Sequence, residues 1–100
     1  MKIKDCFKMK KAFGSYIMSP YGPLGETVKG VIRLNKPGYD IWQWIEEGLE
    51  EEEIANKLAE KYKLSESKAI EDTHALIKSF REAGVFVSDL DWQHTNLKDI

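Results

Sequence analysis

Cysteine and histidine are scarce in this chain of 100 residues, and their scarcity excludes several classes of protein. The single cysteine, Cys6, cannot form an internal disulfide, which argues against a secreted disulfide scaffold and favours a reducing compartment. The two histidines, His74 and His94, lie far apart in the sequence, and neither stands at a metal-ligand spacing from Cys6. We therefore expect no bound metal, and we interpret His74 as a histidine on a helix surface.

The chain also lacks the glycine-rich loops and convergent reactive groups that many enzymes need. Gly22, Gly25 and Gly30 match neither a P-loop nor a dinucleotide fingerprint. The carboxylates of Glu50 to Glu53 are consecutive, so on a helix they fan around the axis instead of converging on one substrate. We therefore predict a protein that is not an enzyme and that binds no cofactor.

Long apolar runs are absent as well. No stretch approaches the roughly 20 apolar residues that a membrane-spanning helix requires. The N-terminal segment MKIKDCFKMKK is basic, but no apolar segment follows it, so it does not resemble a signal peptide. With 42% hydrophobic residues, a chain of this length can form a single domain with a modest core. We expect a soluble cytoplasmic protein that does not associate with membranes.

The net charge of −2 conceals an asymmetry along the chain. Residues 1–38 carry eight basic and two acidic side chains, whereas residues 39–100 carry seven basic and fifteen acidic ones. A basic N-terminal half is suited to an acidic partner. An equally acceptable interpretation is that one small domain has solvated faces of opposite sign.

The basic half begins with the patterns of strands and turns. Partial alternation of apolar and polar residues predicts a first strand over 7–13, and Gly14-Ser15 predicts a turn. Residues 16–18 predict a second strand. Residues 20–25 are rich in proline and glycine and predict a surface loop.

A third strand is predicted over about 27–34 by a stretch of β-branched residues. Gly30 within it indicates either a bulge or a place where another backbone comes close. At the edge of a three-stranded sheet, the unpaired N–H and C=O groups of such a strand can hydrogen-bond an extended peptide. We therefore predict peptide binding at this strand.

Helical periodicity begins directly after the strand and predicts three helices, over about 36–47, 51–62 and 66–83. Asn35 and Ser65 can cap the first and the third of these, and Gly84 ends the third. Residues 85–87 are expected to extend, with a short strand as one alternative. Residues 88–100 have no clear period, and we expect a poorly fixed tail there.

Strands combined with three helices also fit a winged-helix DNA-binding domain. A helix that reads a DNA groove should be basic and polar where it meets the groove, because phosphate attraction dominates DNA affinity. The second and third predicted helices instead carry many carboxylates, so we expect no nucleic acid partner. DNA binding is kept as an alternative, together with a dimerisation module that pairs its edge strand with a second copy.

An ordered set of motifs resembles the PqqD family, which comprises small peptide-recognition domains of ribosomally made, modified peptides. The likeness covers roughly residues 7–87. Its main motifs are Ile32-Arg33-Leu34-Asn35-x-x-Gly38-x-x-Ile41-Trp42 and Gly48-Leu49-x-Glu51-Glu52-Glu53-Ile54-Ala55. It continues through Tyr62, Ala69, Asp72, Leu76-Ile77, Phe80 and Glu82-Ala83-Gly84. Glu50 departs from the pattern, since the family often has serine or threonine at this helix cap.

The resemblance implies a winged helix-turn-helix-like α+β fold, in which a three-stranded antiparallel sheet is followed by three helices. We assign residues 1–88 to this peptide-recognition domain and residues 89–100 to a flexible C-terminal tail. We expect a monomer or a weak homodimer.

The resemblance also implies a non-catalytic chaperone that binds the leader segment of a precursor peptide and presents it to a modifying enzyme, often a radical SAM enzyme. The leader would add as a strand beside the third strand and lie against the third helix. By family position, its contacts would be Val28, Lys29, Gly30, Val31, Ile32, Arg33 and Leu34 on the strand, and Asp72, Ala75, Leu76 and Ser79 on the helix. For Leu76 the alternative is plain core packing, and for Asp72 it is a polar contact within the helix.

Overall fold

A three-stranded antiparallel sheet and four helices make up residues 1–87, the part of the chain that the computed structural model describes. Their order is β1 (Phe7–Ala12), β2 (Ser15–Pro20), α1 (Gly22–Gly25), β3 (Ile32–Leu34), α2 (Lys36–Glu46), α3 (Glu51–Tyr62) and α4 (Glu66–Ala83). This order confirms the predicted α+β class with its sheet and three longer helices. The predicted tail at 89–100 lies outside the described residues. Within them, no helix has the length and apolar character needed to cross a bilayer.

The β1–β2 hairpin is closed by a turn of two residues, Phe13 and Gly14. Their φ angles are 52° and 77°, and positive values at both positions are typical of a type I′ turn. The twist of this turn matches that of the flanking strands, so the pairing runs without a break from Ala12 and Ser15 to the other end of the hairpin. The turn lies one residue earlier than the predicted Gly14-Ser15.

The third strand differs most from its prediction, because β3 spans only Ile32–Leu34 instead of 27–34. Before it, the predicted surface loop contains the short helix α1. Val28, which the pattern placed on the strand, is buried at 8% exposure and lies outside the sheet.

The physical reason is contact between the segment before β3 and the C-terminal end of α4. The Lys29 N–H donates to the Ala83 carbonyl at 2.9 Å. The close backbone approach occurs at Gly84, where a Cβ would lie 2.6 Å from the Thr27 carbonyl oxygen. Gly30 has a φ of 73° and open space around it, so it is a turning point before β3 and neither a bulge nor a close approach.

The helices follow their local signals closely: α3 and α4 occupy the predicted ranges, and α2 ends one residue before the predicted position 47. The Asn35 side chain accepts a hydrogen bond from the Gly38 N–H at 3.0 Å, and Ser65 accepts one from the Lys68 N–H at 3.2 Å. At Glu50, the N–H donates to the Glu53 carboxylate at 3.1 Å. This bond supports the start of α3 without serine or threonine at the cap.

Trp42 of α2 lies in the core, where aromatic rings from two other elements pack against it. It contacts Phe7 of β1 and Phe80 of α4 edge to face, with ring centroids 5.1 and 5.2 Å away. Phe86 lies 6.4 Å from Phe80 and pairs with Ile3 through an isolated antiparallel bridge. The extended segment 85–87 therefore closes the core through a single bridge and not through a full strand.

One charged side chain is buried beside this core. Asp40 of α2 is 3% exposed; its carboxylate pairs with Lys36 and Lys61, each at 2.8 Å, and accepts a hydrogen bond from the Tyr62 hydroxyl. Burial alone would raise the pKa of Asp40, but these hydrogen bonds outweigh it and hold the pKa below its usual value of 3.8. The ionised carboxylate thus ties α2 to the end of α3.

We expect that replacing Asp40 by asparagine lowers the free energy of unfolding at pH 7 by about 1.5–3 kcal/mol, because a neutral amide cannot replace the charge-assisted hydrogen bonds of the buried carboxylate. The pKa of Asp40 is lowered by folding. The contribution is therefore present above the pKa of the unfolded chain and is lost as the pH falls through the pKa of the folded one. Melting curves of the two proteins should converge in acid.

Asp72→Asn is the matched control for this experiment. Asp72 also pairs with a lysine one helical turn earlier, Lys68 at 2.9 Å, but its side chain is 39% exposed. Its loss should lower the free energy of unfolding by only about 0.3–0.5 kcal/mol. Equal losses in the two variants would contradict the role assigned to Asp40.

Candidate functional site

The strand β3 lies at an edge of the sheet, whose order is β1-β2-β3. Its register with β2 places Leu34 opposite Tyr16, Arg33 opposite Ile17 and Ile32 opposite Met18. No other strand of residues 1–87 pairs with the far side of β3. That side is therefore free to hydrogen-bond another chain.

The hairpin turn determines which backbone groups face this open side. Ala12 and Ser15 flank the two-residue turn and form a hydrogen-bonded pair. Backbone groups alternate in direction along an antiparallel strand, so those of Ile17, like those of Ser15, face β1. Those of Tyr16 and Met18 face β3.

Consequently Ile32 and Leu34 direct their N–H and C=O groups to β2, whereas Arg33 directs its own to the open side. Val31 precedes the strand with the same parity as Arg33. It is 61% exposed and takes part in none of the turn or loop hydrogen bonds within residues 1–87. The edge thus offers backbone groups at two positions two residues apart, which is the spacing of strand pairing.

An open groove of about 820 Å³ adjoins this edge and separates β3 from α4. Most of the large side chains that line it are apolar. The lining residues come from the hairpin, β3, the three longer helices and the segments that join them. The lining residues are Ser15, Arg33, Leu34, Asn35, Pro37, Gly38, Ile41, Leu58, Tyr62, Leu64, Asp72, Ala75, Leu76 and Ser79.

The groove brings together six of the residues that the sequence motifs implicate, namely Arg33, Leu34, Asp72, Ala75, Leu76 and Ser79. On α4, Ala75 and Leu76 lie three and four residues after Asp72, and Ser79 lies seven after it, so all four share one face of the helix. Leu76 also packs partly against the core, and Asp72 also pairs with Lys68. Core packing of Leu76 and a polar contact of Asp72 within the helix, the two alternative interpretations, are therefore both present in addition to the groove position.

The other predicted contacts lie elsewhere. Val28 is buried, the Lys29 N–H is bonded to α4, and Gly30 forms the turn before β3. Val31 and Ile32 belong to the edge but not to the lining of the groove, and the Ile32 side chain packs partly against the core. Residues 28–30 thus lie outside both the strand and the groove.

Tyr62 is a groove residue that the sequence did not single out as a contact. Burial and the Asp40 carboxylate raise the pKa of Tyr62 to about 12, so its hydroxyl stays protonated and donates to Asp40. With the hydroxyl held in this way, Tyr62 presents chiefly its ring to the groove. In the sequence it continues the apolar stripe of Ile54 and Leu58, and nothing local distinguishes it from a core residue.

The two sides of the groove differ in charge. Arg33 is exposed on the strand side, and no carboxylate of residues 1–87 forms an ion pair with it. On the helix side, Asp72 is already paired with Lys68 at 2.9 Å. The strand side is therefore suited to a carboxylate on a bound molecule.

Residues 1–87 contain no group of histidine, cysteine, aspartate or glutamate side chains placed to hold a metal ion. Cys6 is buried, and His74 lies on the exposed surface of α4, 3.0 Å from the Glu51 carboxylate. The surface position of His74 agrees with its prediction. The groove offers hydrogen bonds, apolar surface and one free cation, which are the means of binding a chain.

Two solved structures share this fold. One, described as "TbiB1 in Complex with the TbiA(beta) Leader Peptide", is 21% identical with a TM-score of 0.66 and covers 89% of this chain and 100% of its own. The other, "Lasso peptide synthetase B1 complexed with the leader peptide", is 20% identical with a TM-score of 0.70 and covers 87% and 96%. No curated protein matches the sequence.

The sequence itself matches one family along most of its length. The sequence model described as "Coenzyme PQQ synthesis protein D (PqqD)" matches residues 17–85. This range contains β3, all of α4 and nearly the whole lining of the groove. The chain therefore belongs to the PqqD family, as its motifs predicted.

Proposed function

We propose that this chain is a non-catalytic peptide-binding protein, which binds the leader segment of a ribosomally made precursor and presents it to a modifying enzyme. The observation that carries the proposal is an open strand edge beside an apolar groove. Arg33 supplies outward backbone groups, while the neighbouring Leu34 side chain lines the groove. A single extended peptide can use both features at once.

In this arrangement the leader adds as a strand beside β3 and uses the backbone groups of Val31 and Arg33. Side chains of a strand alternate between its two faces, so every second leader residue points toward α4. There it meets the apolar surface of Leu64 and Leu76. The backbone bonds then supply affinity for any extended chain, and the groove supplies selectivity.

Charge supports an acidic leader. The strand half of the sequence carries a large excess of basic residues, and Arg33 lies exposed at the groove without an ion-pair partner among residues 1–87. A carboxylate of the leader beside Arg33 would form a charge-assisted hydrogen bond.

Both structural neighbours are, by their descriptions, complexes with leader peptides, which supports the same class of ligand here. Membership of the PqqD family supports the same role. We take the recipient to be a radical SAM enzyme or another peptide-modifying enzyme. We place the protein in the cytoplasm, where such precursors are made.

The groove is tested by Ala75→Trp, with synthetic leader segments of candidate precursor peptides as probes. Ala75 is exposed and lines the groove, so the indole should fill the groove without disturbing the core. Leader affinity in a calorimetric titration should fall by about tenfold or more, equivalent to about 1.4 kcal/mol. The melting temperature should barely change.

His74→Trp is the control for bulk, since His74 is also exposed on α4 but does not line the groove. It should bind the leader as the unchanged protein does. Equal binding by both tryptophan variants would show that the leader does not occupy this groove.

The edge is tested by proline, which removes one N–H. Arg33→Pro removes an outward N–H and should leave the protein folded. The lost bond is worth about 0.5–1.5 kcal/mol, which corresponds to about twofold to tenfold weaker leader binding. Arg33→Ala is the matched control, because it removes the guanidinium but keeps the N–H.

Ile32→Pro should behave differently, because its N–H is directed to β2. This substitution breaks a bond within the sheet and should lower the melting temperature. Thermal melts and leader titrations separate the two effects. If Arg33→Pro binds the leader as tightly as Arg33→Ala, the leader does not add to this edge.

A further inference from the structure

The tip of the β1–β2 hairpin carries the most exposed large apolar side chain of residues 1–87. Phe13 has a relative exposure of 105%, whereas the next most exposed, Val31, has 61%. Phe13 therefore buries no area in the fold. An isolated exposed aromatic ring is common enough on protein surfaces, so exposure alone assigns nothing.

The backbone at Phe13 adds a second observation. Its φ of 52° lies in the left-handed region, which only a few per cent of residues other than glycine adopt. Asparagine, aspartate and glycine are the residues preferred at this position of a type I′ turn. Phenylalanine is thus unfavourable for the turn and contributes nothing to the core, so stability of the fold gives no reason for its presence.

The surroundings of Phe13 are basic. Lys10 and Lys11 are exposed on the adjoining end of β1, and no carboxylate of residues 1–87 forms an ion pair with them. The Lys11 ammonium lies 5.4 Å from the centroid of the Tyr16 ring, in a cation–π contact. The tip thus combines one exposed apolar side chain with two exposed lysines.

The tip also adjoins the proposed peptide site. Ser15 lies two residues after Phe13 and lines the groove. A protein held at the tip would therefore stand beside the groove, close to a peptide that leaves it.

We propose that the hairpin tip is the docking point for the enzyme that modifies the bound peptide. Phe13 enters an apolar pocket of that enzyme, and the lysines pair with carboxylates on the rim of the pocket. This inference rests on the proposed function, since it assigns the place of the recipient enzyme. A buried aromatic anchor with a charged rim is the usual arrangement of a binding hot spot.

Position favours the modifying enzyme over the other occupants, because the tip adjoins the groove from which the bound peptide leaves. A lone aromatic side chain gives little apolar area for stable attachment to a bilayer, whereas a pocket desolvates it fully. The acidic helical half of a second copy is complementary in charge to the tip, so self-association is one of the measured outcomes. A membrane and a second copy are nevertheless included as outcomes of the test.

The decisive variant is Phe13→Asn, because stability and docking should change in opposite directions. Asparagine followed by Gly14 is a favoured type I′ pair, so the melting temperature should rise by about 4 °C. Leader affinity should be unchanged. In an assay with the modifying enzyme that accepts the bound peptide, kcat/KM for the precursor should fall by about tenfold or more at limiting concentrations of this chain.

Ile70→Asn is the matched control, since Ile70 is 50% exposed on α4 and outside the groove. It should leave kcat/KM unchanged. A double charge reversal, Lys10→Glu with Lys11→Glu, should weaken docking and reduce its dependence on salt.

The outcomes separate this inference from the proposed function. If the unchanged protein binds no leader, the proposed function fails. If it binds leader and supports modification, but Phe13→Asn supports modification equally well, only the docking inference fails. Binding to phosphatidylglycerol vesicles, or self-association in sedimentation, that is lost in Phe13→Asn while modification persists would assign the tip to a membrane or a second copy and overturn the inference.

Discussion

The edge-to-face contact of Trp42 with Phe7 and Phe80 is the constraint on which the site depends. It joins β1, α2 and α4 with ring centroids just over 5 Å apart, and so sets the distance between the sheet and the last helix. Phe80 fixes α4 near its C-terminal end, whereas α4 otherwise packs mainly against α3. The preceding turns, with Ala75 and Leu76, are therefore held apart from β3, and the groove lies in that space.

Local signals were sufficient to predict the helices. Asn35 and Ser65 satisfy backbone donors within a few residues of themselves, and this chemistry needs no knowledge of the rest of the fold. The predicted strand at 27–34 failed because a distant contact outweighed its β propensity. The Lys29 N–H is bonded to Ala83, more than fifty residues away, and burial of Val28 accompanies that contact.

The candidate site was predictable to the extent that it is local. The resemblance to the PqqD family implied Asp72, Ala75, Leu76 and Ser79, whose helical spacing puts them on one face, and that face lines the groove. Tyr62 also lines the groove, and Asp40, from another helix, holds its hydroxyl. This hydrogen bond depends on how α2 and α3 pack together, and the hydrophobic periodicity of the sequence gives no information about that packing.

The hairpin turn connects the two surfaces on which the proposed function depends. Because the loop has two residues, Ala12 and Ser15 are hydrogen-bonded, and every later backbone group of β2 takes its direction from that pair. The outward direction of the Arg33 N–H thus depends on the length of the turn that precedes β2. Inserting or deleting one residue in this turn would therefore change which backbone groups of β3 face the open side. The residue type at Phe13, in contrast, can vary while the backbone keeps its register, so the tip can be adapted to a partner independently of the leader site.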